Sequence, residues 1–145
     1  MSGCKEKGNG MNTNKLELIK KDRFAAHVGI KLVKAEPGYA FARMEITENH
    51  LNGADIVQGG AIFTLADYAF AAASNAKVPV TLGINANISF FMPPKGKILS
   101  AEARETASSK RLCSYTVDVS DENNNLIARF TATGYVKSNA KSVKE

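Results

Sequence analysis

Residues 57–75 read VQGGAIFTLADYAFAAASN: a glycine pair, then an almost wholly apolar run with one ionisable side chain, Asp67, at its middle. Ile62, Leu65, Ala66, Ala69, Ala72 and Ala73 recur at helical spacing as one stripe, and Phe63, Asp67, Phe70 and Ser74 make another. The spacing predicts a helix from Ala61 to about Ala76 that is apolar on nearly every face. Such a helix is expected to be buried on most sides, whereas a surface helix carries one oily stripe. The rest of the chain must therefore supply a cover.

Strands on both sides supply it. Downstream, VTLGINANISFFM (80–92), KILSAEARETAS (97–108), RLCSYTVDVSD (111–121) and LIARFTATGYVKS (126–138) have strand character, with Pro93, Pro94 and Gly96 punctuating the first gap and ENNN (122–125) the last. Upstream, GIKLVKAEPGYAFARMEIT (29–47) is two alternating runs around Pro37 and Gly38, a hairpin. Before it, Leu16, Ile19, Phe24 and Val28 predict a helix from about Lys15 to Val28, stopped by Gly29, with His27 as a helix-terminal residue. ENHLNGADIVQ (48–58) breaks all periodicity and is a loop carrying His50, Asn52 and Asp55. The order implies an α+β fold: a meander of antiparallel strands, a curled sheet wrapped around one long central helix. One domain is expected over 15–138, with flexible tails at 1–14 and, basic in character, 139–145.

Composition narrows the function. At 145 residues, 44% hydrophobic and 23% charged, the chain suits one globular domain. No apolar run reaches the roughly 18 residues of a membrane span, so no membrane partner is expected. The polar start MSGCKEKGNG lacks the apolar core of a secretory signal, which points to the cytoplasm. Cys4 and Cys113 suggest no disulfide framework, and with only His27 and His50 available no protein-built metal site is expected. Net charge is +5 and the pI is near 9.3, but part of the excess sits at the ends. Aromatic residues do not interleave with it, so no nucleic acid partner is expected. A mildly positive surface suits a small polyanion such as a phosphorylated carrier.

Gly59 and Gly60 open the central helix, where the first N–H groups lack intrahelical partners and the dipole favours negative charge. Such a terminus accepts an anion or an oxyanion; a glycine pair equally permits tight packing against a sheet. Asp67 amid apolar residues needs either a hydrogen-bonding partner, for which Thr64 and Tyr68 are the neighbours, or a function. Gly59 and Asp67 lie eight residues apart, ~12 Å along a helix, too far for one chain to offer both to one carbonyl. Two copies with antiparallel central helices would bring them together in two equivalent sites.

The LNG loop, the QGG opening the helix, LAD within it, and ISFFMPPKGKILSAEA after it resemble the hotdog-fold acyl-CoA thioesterases of the phenylacetate-degradation, PaaI-like type, over roughly Phe24 to Val136. The resemblance implies a homo-oligomer, a dimer or dimer of dimers, that hydrolyses acyl-CoA thioesters with no cofactor beyond the coenzyme A of the substrate. It implies that Asp67 is nucleophile or general base, that Gly59 with Gly60 receives the thioester oxygen, and that Asn52 helps hold the thioester or the water. Gln58 stands where that family usually has histidine, and can donate a hydrogen bond but cannot move a proton near neutral pH. On the strand after the helix, Gly83 falls where some relatives carry a hydroxyl residue, with Thr81 on the same face. Lys110 and Arg111 are the basic pair implied for the coenzyme's phosphates, and Phe63, Phe70, Phe90 and Phe91 are either acyl contacts or ordinary core. Two alternatives stand beside hydrolysis. Gln58 suits a binding or regulatory hotdog domain that senses acyl-CoA without turnover. A hotdog hydratase or dehydratase pairs histidine with a carboxylate, and both histidines here lie outside the motif.

Overall fold

The computed structural model describes residues 16–137, so both expected tails and Cys4 lie outside the described residues. The first helical segment is two pieces, not the single helix expected from Lys15 to Val28. Helix α1, described over 16–20, gives way at Lys21 and Asp22 to α2 (Arg23–Val28). The cause is Asp22, whose extended backbone and side chain, accepting from Ala25 N–H at 2.9 Å, start a new helix. Gly29 ends α2 as expected: at φ 89° it takes a left-handed conformation, and its N–H returns to the carbonyls of Ala25 and Ala26.

The hairpin of β1 (Ile30–Glu36) and β2 (Tyr39–Glu45) follows, then a 3₁₀ turn at Glu48–His50, the central helix α3 (Gly59–Lys77), and β3 (Thr81–Phe90), β4 (Ile98–Ser108), β5 (Leu112–Asp121) and β6 (Leu126–Val136). All six strands form one antiparallel sheet. Its order, β1-β2-β4-β5-β6-β3, corrects the expected meander. The helix carries the chain past the sheet before β3 begins, so β3 joins the far edge beside β6 and leaves β4 to pair with β2.

The sheet curls over α3, which packs most heavily on β2 and β4. There Ala40 faces Ala103 and Ala42 faces Ala101, all wholly buried, and side chains this small let the helix lie close to the strands. Larger residues fill the remainder: Phe70 meets Tyr115 edge-on at 5.3 Å between ring centres, and Phe63 meets Phe130 at 5.2 Å.

The two sheet edges are unlike. Strand β1 carries Lys31, Lys34 and Glu36, charges of the kind that deter edge-to-edge pairing. Strand β3, TLGINANISF, has none, and it is exposed along most of its length, with Leu82 52% and Ile84 60% accessible. A bulge between Gly83 and Asn85 is its single irregularity against β6.

Candidate functional site

The amino end of α3 is built by Gln58. Its backbone is extended, and its side-chain oxygen folds back to accept from Gly60 N–H at 2.9 Å, so it is the N-cap. Glutamine is not among the favoured capping residues, because its extra methylene must bend back over its own helix. Gly60 makes room: a Cβ there would stand 2.5 Å from the Gln58 oxygen. With its oxygen committed, Gln58 keeps its amide NH₂ for other partners. The Gly59 N–H, first of the helix, faces no acceptor among the described residues, while the Phe90 ring sits where a Gly59 Cβ would approach it at 3.0 Å. Gln58→Ala is expected to lower folding stability by about 1 kcal/mol, the usual cost of an N-cap, and chemical denaturation of the two proteins measures it.

The loop before the helix is organised by Asn52. Its side-chain oxygen accepts from Ala54 N–H at 2.9 Å and Ile56 N–H at 3.2 Å, while its own N–H donates to the Ile56 carbonyl at 2.8 Å. Two backbone donors fix which end of the amide is oxygen, leaving the NH₂ end without a partner among the described residues. The loop also holds Asp55 at φ 58°, a left-handed conformation that aspartate tolerates.

Asp67 lies on the side of α3 that the sheet leaves open. Gly60, Thr64, Asp67 and Ala71 recur every three or four residues along that side. The expectation of a sequestered carboxyl is therefore not met within one chain: Asp67 is exposed. Protein on its other sides still disfavours the charge, so burial pushes its pKa above the ordinary aspartate value, and repulsion from Asp22 adds to this. Neither neighbour named from the sequence satisfies it. The Thr64 hydroxyl donates to the Gly60 carbonyl at 2.7 Å, Tyr68 is buried, and Asp67 has no hydrogen bond or ion pair among the described residues.

Cavities flank the helix end. One, about 440 Å³, is lined by Phe24, Val28, His50, Gln58, Gly60 and Phe63 among others. A second, about 360 Å³ and mostly apolar, lies between Ile56, Gly59, Ile62, Phe90, Phe91 and the two prolines. Gly60 and Phe63 thus line one cavity with Gln58. Thr81 and Gly83 do not. Thr81 is buried by the carboxyl end of α3, its hydroxyl donating to the Val78 carbonyl at 2.7 Å and its N–H to Asn75 at 3.0 Å, so it has no donor to spare. Gly83 faces the Phe70 ring, opposite Gly134. Lys110 and Arg111 form the turn between β4 and β5, where Lys110 shares a cavity with Lys77 and Val78, and Arg111 donates to the Tyr135 hydroxyl at 3.2 Å. A helix of 19 residues is ~28 Å long, so this basic pair stands at its opposite end from Gly59. Among the described residues no three metal-type side chains cluster, and no helix is long and apolar enough to cross a membrane.

Residues 54–128 match the thioesterase superfamily. The chain is 29% identical over 114 residues to the acyl-coenzyme A thioesterase PaaI of Escherichia coli, covering 78% of this chain and 81% of the relative. Its fold superposes on the solved structure of the E. coli PaaI protein with a TM-score of 0.82 at 26% identity, over 87% of this chain and 92% of the other. It also superposes on a point mutant of the phenylacetic acid degradation protein PaaI from Thermus thermophilus, with a TM-score of 0.76 at 32% identity, over 80% of this chain and all of the other.

Proposed function

Because this chain belongs to the thioesterase superfamily and has the hotdog fold, we propose that it hydrolyses acyl-CoA thioesters at a site shared between two copies. The observation that carries the proposal is the pairing of an unpartnered, charge-disfavouring carboxyl at Asp67 with a helix terminus whose first N–H faces no acceptor. As a general base, Asp67 takes a proton from water while the water oxygen adds to the thioester carbon. The carbonyl oxygen becomes negative and is received by Gly59 N–H; collapse then breaks the carbon–sulfur bond and releases coenzyme A as thiolate. As a nucleophile, the same carboxylate would form an anhydride that water opens. The free amide NH₂ groups of Asn52 and Gln58 are donors for placing the thioester, and Phe63 borders the space it would enter.

The partner copy supplies the missing reach. Pairing β3 with its own twin about a two-fold axis would cover the uncharged edge, set the α3 helices antiparallel, and bring Asp67 of one chain toward Gly59 of the other. It would also carry Lys110 and Arg111 toward the site built on the partner, where phosphates could meet them.

One observation favours a second reading. Gln58 is occupied as a cap and has no proton to exchange, which suits a domain that binds acyl-CoA without turnover. Steady-state hydrolysis of a panel of acyl- and aryl-CoA thioesters, run beside direct binding of the same esters, separates the two. Turnover of at least one ester supports the hydrolase. Binding of several with turnover of none leaves the sensor.

A further inference from the structure

His50, read from the sequence as a loop residue outside the family motif, is tied into the structure at three points. It is buried, 8% exposed, in the 3₁₀ turn that precedes the Asn52 loop, and both of its ring nitrogens are engaged. Nδ1 lies 2.8 Å from Thr47 N, which can only donate, so Nδ1 carries the lone pair. Nε2 lies 2.6 Å from the Val28 carbonyl oxygen, which can only accept, so Nε2 carries the proton. Val28 is the last residue of α2, and its carbonyl is one of those a helix end leaves without an intrahelical donor. The His50 main-chain carbonyl, meanwhile, accepts from Gln58 N–H at 2.8 Å.

One residue therefore ties three parts of the chain: the end of α2 through Nε2, the entry of the turn through Nδ1, and the first residue of the α3 cap through its carbonyl. It forms part of the wall of the 440 Å³ cavity between α2 and the α3 terminus, along with Val28 and Gln58. Gln58, anchored on that carbonyl, in turn holds Gly60 N–H.

We propose that His50 is a positioning residue: its singly protonated ring clamps α2 and the turn so that its carbonyl sets Gln58, and through Gln58 the angle at which Gly59 N–H is presented. The ring exchanges no proton in the reaction and need not touch the substrate. Its catalytic consequence rests on the reading of Gly59 as the oxyanion donor, while its structural consequence, the placement of the Gly59 and Gly60 amides, does not.

Three variants dissect the clamp. His50→Asn keeps an acceptor near the Nδ1 position, His50→Gln keeps a donor near the Nε2 position, and His50→Phe keeps neither. In His50→Phe, kcat for a CoA thioester is expected to fall about 10- to 100-fold with KM changed less than about threefold, the pattern of a donor misplaced in the transition state. The Gln and Asn variants should recover part of that loss. In ¹⁵N spectra of the wild type, the His50 ring should show a protonated Nε2 and a bare Nδ1. The Gly59 and Gly60 amide signals should shift in all three variants, most in His50→Phe. Should His50→Phe fail to fold, the Gln and Asn proteins carry the same comparison. Folded variants with wild-type kcat and unmoved Gly59 and Gly60 signals overturn the proposal. If the protein proves not to be a hydrolase, moved amide signals still support the clamp and unmoved ones still refute it.

Discussion

Asp67→Asn is expected to cut kcat for acyl-CoA hydrolysis by about 10²- to 10⁴-fold, the range supplied by a positioned acid–base group, while leaving ester binding close to wild type. Asparagine keeps the shape of the side chain and loses its capacity to take a proton or to attack. The stability change should run the other way. Burial raises the Asp67 pKa in the folded chain, so between the unfolded and folded values the native state holds the proton more tightly. Stability is therefore lost as pH rises through that interval, and above it the ionised carboxylate is a standing cost. Thermal melts at neutral pH should show Asp67→Asn no less stable than wild type, with the gap closing as pH falls below the ordinary aspartate range. The acid limb of kcat/KM should likewise sit above the unperturbed value of 3.8. A variant that turns over at the wild-type rate removes Asp67 from the chemistry altogether.

Separating the two copies should be as damaging as removing the acid. Ile84→Lys places a charge on the β3 edge, where a 60% exposed isoleucine now stands. If the proposed pairing holds, it is expected to convert a wild-type dimer into a folded monomer, with hydrolysis reduced about as far as in Asp67→Asn; light scattering and steady-state kinetics on the same samples read both. A sharper form uses two inactive proteins. Gly59→Val crowds the Phe90 ring and screens the Gly59 N–H, while Asp67→Asn lacks the acid. In an equal mixture refolded together, half the dimers are hybrids, and each hybrid has one intact site of its two, so about a quarter of wild-type activity should return. Hybrids that form and stay silent would mean that one chain supplies both groups, and the shared cleft would have to be given up.

The central helix was legible because its evidence is periodic: alanines and large apolar residues at helical spacing on most sides require a cover, and the described strands provide it on all but the Asp67 side. Strand order was not, because the alternation in VTLGINANISFFM is the same whichever neighbour it meets. Only the observed pairing of β3 with β6 shows that an uncharged strand stands at an edge. The break at Asp22 has a signal in the sequence, an aspartate able to cap Ala25, but the apolar spacing from Leu16 to Val28 runs through it and masks it. Gln58 as a cap could not be read at all: it depends on the absence of a Cβ at Gly60, a contact between a residue and its second neighbour. For Asp67, the isolation of the charge was plain in the sequence; that its open side faces away from its own sheet was not, since a helical stripe does not say which stripe the sheet will take.

The place of β3 has a further consequence at the ribosome. Among the described residues its one neighbour is β6, the last of the described strands to be synthesised, which begins at Leu126, after Phe90. Throughout that interval the nascent segment has a bare backbone on both flanks, and its pairing closes a sequence separation that only the β2–β4 ladder exceeds. Messages truncated before residue 126 would thus release chains lacking two ordered strands rather than one, with an oily ribbon left for chaperones or proteases to find.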